Sequence, residues 1–265
     1  MGIYAHPDNE AFSLAGSFAR VTDAGHMAAL LCATRGERGE IADPALATPE
    51  TLGAVREQEL RQACAEVGVD DVSFLGYSDG ELAQAAEAEA VGRIVAHLRR
   101  FKPDVVVTFT ANGGYGHLDH MAIHRLTNRA VLAAAEASGD AAPHRVRKLY
   151  YNAIPRERMA AWRDRASQSG QDFTPGGNAA TIPLVEMGTP QAEITTEVHL
   201  SDAEFARKQR ALRHHATQMP ADNPMVRASA EELRTLIGIE SFVLAPPPLS
   251  AAAYPTPEHD LLAGL

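Results

Sequence analysis

The stretch Asp104-Val-Val-Val-Thr-Phe-Thr110 limits the folds open to this chain more than any other. It is rich in β-branched and aromatic residues, too short to be a helix, and bounded by Lys102-Pro103 before and Gly113-Gly114 after, so it predicts a strand buried on both faces. Strands of that kind lie in parallel sheets, whose neighbours are joined by helical crossovers. The rest of the chain supplies them. Gly2 to Ala5 reads as a short first strand of about four residues, His26 to Thr34 as a second, Val72 to Leu75 as a third and Arg147 to Asn152 as a fifth. Between them, Phe12, Leu14, Ala15, Phe18, Ala19 and Val21 form a helical stripe ending near Gly25, and helices follow from Pro49 to Val67, from Ala85 to Phe101 and from His120 to Ala137. Thr48 is the expected N-cap of the second of these, with Pro49 at its first position, and Gly139 the stop of the last. This alternation predicts an α/β, Rossmann-like, mainly parallel sheet with helices on both faces.

Two polar clusters sit where such a sheet binds ligands, at strand C-termini leading into helices. One is Ala5-His6-Pro7-Asp8-Asn9-Glu10. The other is Gly113-Gly114-Tyr115-Gly116-His117-Leu118-Asp119-His120. A hydrolytic zinc site needs about three ligands of imidazole and carboxylate type, an open position for water and a base to take its proton. His6 and His120 are natural imidazole ligands from two different strand ends, and Asp8, two residues from His6, can reach the water. His117 would project into the same pocket, where the Asp119 carboxylate can accept an imidazole N–H and hold the ring as an imidazolium for a developing oxyanion and a leaving amine. His124, four residues after His120, can share its helix face. The loop Thr34-Arg-Gly-Glu-Arg-Gly-Glu40 is either a solvated turn or part of the same rim, and His214-His215 reads as a cationic helix C-terminus.

These motifs resemble the PIG-L (LmbE-like) family of metal-dependent N-deacetylases. The similarity extends to Ala33-Thr-Arg-Gly-Glu37, Arg56-Glu-Gln-Glu-Leu60, Phe74-Leu-Gly-Tyr-Ser-Asp-Gly80 and Ala211-Leu-Arg-His-His-Ala-Thr-Gln218. The resemblance implies hydrolysis of an N-acyl, usually acetyl, group on an amino sugar or related glycoconjugate, with zinc or another divalent metal. It implies His6 and His120 as metal ligands, Asp8 as base, His117 as acid or oxyanion donor with Asp119 as its partner, Tyr115 as a second oxyanion donor and Arg56 as a substrate contact. The family pattern has a second Asp after the Pro as third ligand, and this chain has Asn9 there. A neutral amide is a poorer zinc donor than a carboxylate, so weaker metal binding is expected. Amide cleavage or hydration on the same scaffold, or a substrate-binding relative with weakened metal affinity, are the alternatives.

Composition narrows the partners. With 265 residues, 45% hydrophobic, the chain can bury a large core, and a net charge of −10 lacks the basic footprint that nucleic acid or an anionic membrane requires. A small molecule is the expected partner, and a homo-oligomer is compatible with the sequence. Two cysteines, Cys32 and Cys64, read as buried free thiols, and no apolar run spans a bilayer, so the cytoplasm is the expected location. One domain over residues 1–245 is expected, with an irregular, lid-like segment at about 155–190 that holds Trp162 in a short basic helix and is interrupted by Gly170, Pro175, Gly176, Gly177 and Pro183. Ile194 to Val198 and Ser241 to Ala245 read as late strands, and Ser201 with Glu204 as a capping box. The Pro- and Ala-rich tail, 246–265, is expected to be loosely held.

Overall fold

The computed structural model describes residues 1–137, 142–168, 181–183, 186–220 and 223–265. The expected helix stop at Gly139, the breaks at Gly170, Pro175, Gly176 and Gly177, and the middle of the lid-like segment lie outside these residues. A seven-stranded sheet has the order β3-β2-β1-β4-β5-β7-β6, formed by β1 (Gly2–Tyr4), β2 (Ala29–Cys32), β3 (Asp71–Phe74), β4 (Val105–Phe109), β5 (Lys148–Ala153), β6 (Thr196–His199) and β7 (Ile239–Leu244). The first five strands are parallel. The last two run antiparallel, with Tyr151 opposite Val243 and Val198 opposite Glu240. Every residue of β1, β2 and β4 is buried. Since successive side chains point to opposite faces, both faces of the sheet are covered.

The helices are α1 (Asn9–Ser13), α2 (Ala15–Asp23), α3 (Leu52–Glu66), α4 (Glu87–Phe101), the irregular turn α5 (Gly113–Gly116), α6 (Leu118–Ala135), α7 (Arg156–Gln168), α8 (Asp202–His214), α9 (Pro224–Arg227) and α10 (Ala230–Ile237). They pack as two groups, α4 against α6, and α8 against α2 and α3. Local signals set their ends. Helix α4 carries Glu87 and Glu89 in its first turn and Arg99 and Arg100 in its last, matching the helix dipole, and stops at Lys102 in the left-handed region before Pro103. The Ser201–Glu204 capping box opens α8. Helix α3 starts at Leu52 with Thr51 as N-cap, three residues later than expected. The Thr48 hydroxyl bonds the Glu50 carboxylate and its carbonyl closes a turn onto Thr51 and Leu52, so Thr48 and Pro49 lie in that turn.

The tail departs most from expectation. Lys148, on β5, is fully buried and ion-paired with Glu258. The other Glu258 oxygen accepts from the Tyr150 hydroxyl at 2.5 Å, and backbone bonds tie Glu258 to Thr195 and Glu197. Leu261 and Ser250 are buried too. The tail is therefore docked rather than loose, because a buried ammonium needs a counter-charge and, among the described residues, Glu258 supplies it. A second buried pair, Lys208 with Glu240, ties the antiparallel side of the sheet to the start of α2, where Glu240 also accepts from the Gly16 and Ser17 amides at 2.9 and 2.8 Å.

Glu258→Ala strands the Lys148 charge and is expected to cost about 3–5 kcal/mol in urea unfolding. A loss within about 0.5 kcal/mol, the range of ordinary surface substitutions, would show that the tail docks without contributing to stability.

Candidate active site

β1 lies between β2 and β4, so the chain reverses direction across the sheet there, and the loops after β1 and β4 open the crevice where doubly wound sheets bind ligands. His6 leaves the first loop and is buried. Its Nε2 faces Asp79 Oδ1 at 3.0 Å and Asp119 Oδ2 at 3.3 Å. His120, in the first turn of α6, stacks on Phe109 with ring centres 3.8 Å apart, and its Nδ1 meets the Gly113 carbonyl at 3.1 Å. That carbonyl reaches the ring because Gly113 has φ +62° and lacks a Cβ, which would sit 2.8 Å from the His120 Cβ.

These contacts fix where the protons are. Each outer nitrogen donates to an oxygen, so the remaining lone pairs, on His6 Nδ1 and His120 Nε2, face each other across 3.3 Å. Two lone pairs at that distance need a cation between them. Without a metal a proton serves: burial works against a charged His6, but Asp119 and Asp79 raise it to about 9, while burial and the His6 charge push His120 far down. A tetrahedral zinc ion holding two imidazoles at about 2.0–2.1 Å sets their nitrogens about 3.3–3.4 Å apart. The observed separation fits. Ligand atoms of His6, His117 and His120 all lie within 4.8 Å of one another, as do those of His6, Asp79 and Asp119. In the second group the carboxylates already accept backbone donors, Asp119 from Gly80 at 2.7 Å and Leu82 at 3.1 Å, and Asp79 from Arg38 at 3.1 Å. They orient His6 in the way that outer carboxylates orient metal-binding imidazoles.

His117 and Asp119 are arranged differently from expectation. His117 is the N-cap of α6, and its Nδ1 accepts the Asp119 backbone N–H at 3.1 Å. The Asp119 carboxylate faces His6 instead. An accepting Nδ1 leaves the proton on Nε2, and burial together with the His6 charge lowers His117 to about 4, so the ring is a neutral donor and not an imidazolium. It stacks on His120 at 4.5 Å. Tyr115 stands edge-on to His120 at 5.3 Å and to His117 at 6.1 Å, and burial pushes its hydroxyl well above its usual range, so it stays a donor.

Asp8 has φ 97° and ψ −29°, a left-handed conformation that costs energy in a residue with a Cβ and marks functional sites more often than others. Although it is the N-cap of α1, its side chain makes no capping bond. Its carboxylate instead accepts from Asn9 Nδ2 at 2.9 Å and Arg56 at 3.1 Å, and burial raises its pKa against the pull of Arg56. Asn9 is engaged at both ends within its own loop, since its Oδ1 accepts the His6 N–H at 2.9 Å. Arg56, expected to meet substrate, is 3% exposed and donates to the Gly36 and Pro7 carbonyls at 2.7 and 2.6 Å as well as to Asp8. It joins the loops behind Asp8. Gly36 is required beside it, because a Cβ there would lie 2.2 Å from the guanidinium.

The loop from Thr34 belongs to the rim: Glu37 accepts the Asp79 N–H at 2.9 Å. His124 does not reach the site, its Nδ1 meeting the Phe109 carbonyl at 2.8 Å. Sequence reasoning gave no role to Asp79, whose signals were its place in a turn after a strand and in the family-like stretch Phe74–Gly80. It also missed Glu10, whose Oε2 accepts the Asp8 N–H at 3.1 Å.

Comparison with known proteins agrees with this arrangement. The PIG-L family profile, described as GlcNAc-PI de-N-acetylase, matches residues 1–131. A 1D-myo-inositol 2-acetamido-2-deoxy-alpha-D-glucopyranoside deacetylase of Nocardiopsis dassonvillei is 33% identical over 100% of both chains. One of Streptomyces griseus is 35% identical over 91% of this chain and 81% of its own. Among solved structures, the N,N'-diacetylchitobiose deacetylase of Pyrococcus horikoshii shares the fold, with a TM-score of 0.67 at 20% identity over 92% of this chain and 82% of the other. With relatives 33–35% identical over 91–100% of its length, the chain belongs to the PIG-L family of amino-sugar N-deacetylases.

Proposed function

We propose that this protein hydrolyses the acetamide of an N-acetylglucosaminide with a small polyol aglycone, using one zinc ion held by His6 and His120, with Asn9 as a weak third donor. The observation that carries the reading is the pair of imidazole lone pairs facing each other at 3.3 Å, beside a strained Asp8. A divalent ion at that point would polarise the amide carbonyl and acidify water. Asp8 would take the proton from the attacking water, a role suited to a carboxylate whose basicity burial has raised. The water oxygen bonds to the carbonyl carbon, and charge develops on the carbonyl oxygen. His117 Nε2–H and the Tyr115 hydroxyl are the donors available to stabilise it. The C–N bond then breaks, the proton held by Asp8 passes to the departing amine, and acetate and the free amino sugar leave.

The aglycone class comes from the curated relatives, which are deacetylases of an inositol glucosaminide. The segment at 155–190 is the proposed lid. Its described end lies on α5, where Thr181 donates to the Gly116 carbonyl and the Gly188 N–H to the Gly114 carbonyl at 2.9 Å. A reducing, cytoplasmic setting suits the buried free thiols of Cys32 and Cys64. Among the described residues no helix is long and apolar enough to cross a membrane.

Metal analysis and amine release from an N-acetylglucosaminyl-inositol test the reading. The protein is expected to bind up to one zinc per chain, to lose activity in chelator and to regain it on adding zinc; a folded protein that binds no zinc and releases no amine would end the proposal. Asn9→Asp is expected to raise zinc affinity about tenfold or more, on the scale of changes around a metal site, because it adds a carboxylate where a neutral amide stands. Equal affinity in the two proteins would remove Asn9 from the ligand set. His117→Ala is expected to lower kcat about 100- to 1,000-fold, the usual effect of losing an oxyanion donor, with zinc content unchanged. Loss of zinc in that variant would make His117 a ligand instead.

A further inference from the structure

Asp8 holds an unfavourable backbone conformation without using its own carboxylate to cap α1, so something else must hold the turn. Glu10 does so, with Oε2 accepting the Asp8 N–H at 3.1 Å. Glu10 is itself buried, and its other oxygen meets His215 Nε2 at 2.8 Å. His215 comes from the far end of the chain, just past α8, and is fully buried. Its Nδ1 makes no hydrogen bond among the described residues, so Glu10 is the only hydrogen-bond partner of its ring there. The turn that follows is fastened independently. Thr217 donates to Glu59 through its N–H at 2.8 Å and its hydroxyl at 2.6 Å, and its carbonyl accepts the Ala42 N–H at 2.8 Å. His215 therefore presents its Nε2 from a fixed frame.

We infer that Glu10 and His215 form a buried positioning pair which holds the left-handed turn at Asp8 and aims the Asp8 carboxylate at the reacting water. The pair touches neither substrate nor metal. Burial of an unpaired carboxylate would be costly, so His215 gives Glu10 a partner and holds it in place, and Glu10 in turn supplies the acceptor for the Asp8 N–H at the turn. Residues beyond 131, outside the stretch matched by the family profile, thus complete the geometry of the base. The inference rests on Asp8 being the general base.

The test compares Glu10→Ala, Glu10→Gln, His215→Ala and His215→Gln in the zinc-loaded protein, reading kcat, KM, zinc content and the NMR signal of the Asp8 amide. Both alanine variants are expected to lose about 10- to 100-fold in kcat, the usual cost of an outer positioning group, with KM and zinc unchanged and the Asp8 amide signal shifted. Glu10→Gln keeps an oxygen for the Asp8 N–H and His215→Gln keeps a donor for Glu10, so both are expected to recover most of kcat and the native amide signal. Folded alanine variants with native kcat and an unshifted Asp8 amide overturn the pair. So does failure of both glutamine variants to restore the Asp8 signal, which would make the two residues simple packing. If the parent protein releases no amine, the deacetylase reading fails, and the Asp8 amide signal still decides whether the pair sets the turn.

Discussion

The Asp119 carboxylate is the constraint on which the site depends. It is completely buried, and a charge in that position persists only if donors surround it. The donors come from two directions: the Gly80 and Leu82 amides after β3 and the His6 ring after β1. One carboxylate on α6 therefore fixes the distance between three loops. Together with Asp79 it also sets the His6 tautomer, and through it which nitrogen is left facing His120. Moving Asp119 would alter the loops and the facing imidazole nitrogens together, so the scaffold and the site are not separable at this point.

Much of this could be read from the residues. The apolar run at Val105–Phe109 and the alternation around it gave the parallel sheet, and the breaks after each strand placed residues 5–10 and 113–120 on one rim. What could not be read was direction. A spacing of two between His117 and Asp119 says that they are neighbours, but it does not say that the backbone N–H rather than the carboxylate makes the contact. That depends on His117 being an N-cap, where the side chain turns back onto the helix start. Partners far apart in sequence were equally hidden. Glu258 carries no local pattern that points to Lys148, and a Pro- and Ala-rich tail has no periodicity to advertise its docking. Arg56 was expected to contact substrate, and only the packed loops reveal its three acceptors.

The position of Asn9 illustrates how small a change the loop admits. Its amide uses one end for the His6 N–H and the other for Asp8, so the turn is stable with the amide in place. A carboxylate would keep the first contact and set a like charge against Asp8 at the second. The two residue types thus favour opposite properties here, the amide a quiet turn and the carboxylate a stronger cation site.

The link between Glu10 and His215 spans 205 residues, and it bears on the order in which the molecule is made. At about 5–20 residues per second, ribosomal synthesis separates the two by about 10–40 s. β1 waits as well, since its neighbour β4 follows about a hundred residues later. The centre of the sheet is thus translated well before β4, which encloses it, and for that interval the nascent chain exposes a short apolar strand and an acidic turn. Contacts of such long range also slow folding of the released chain. A protein built this way can close its Asp8 turn only after residue 215 has emerged, so shorter nascent forms hold that loop without its distant partner.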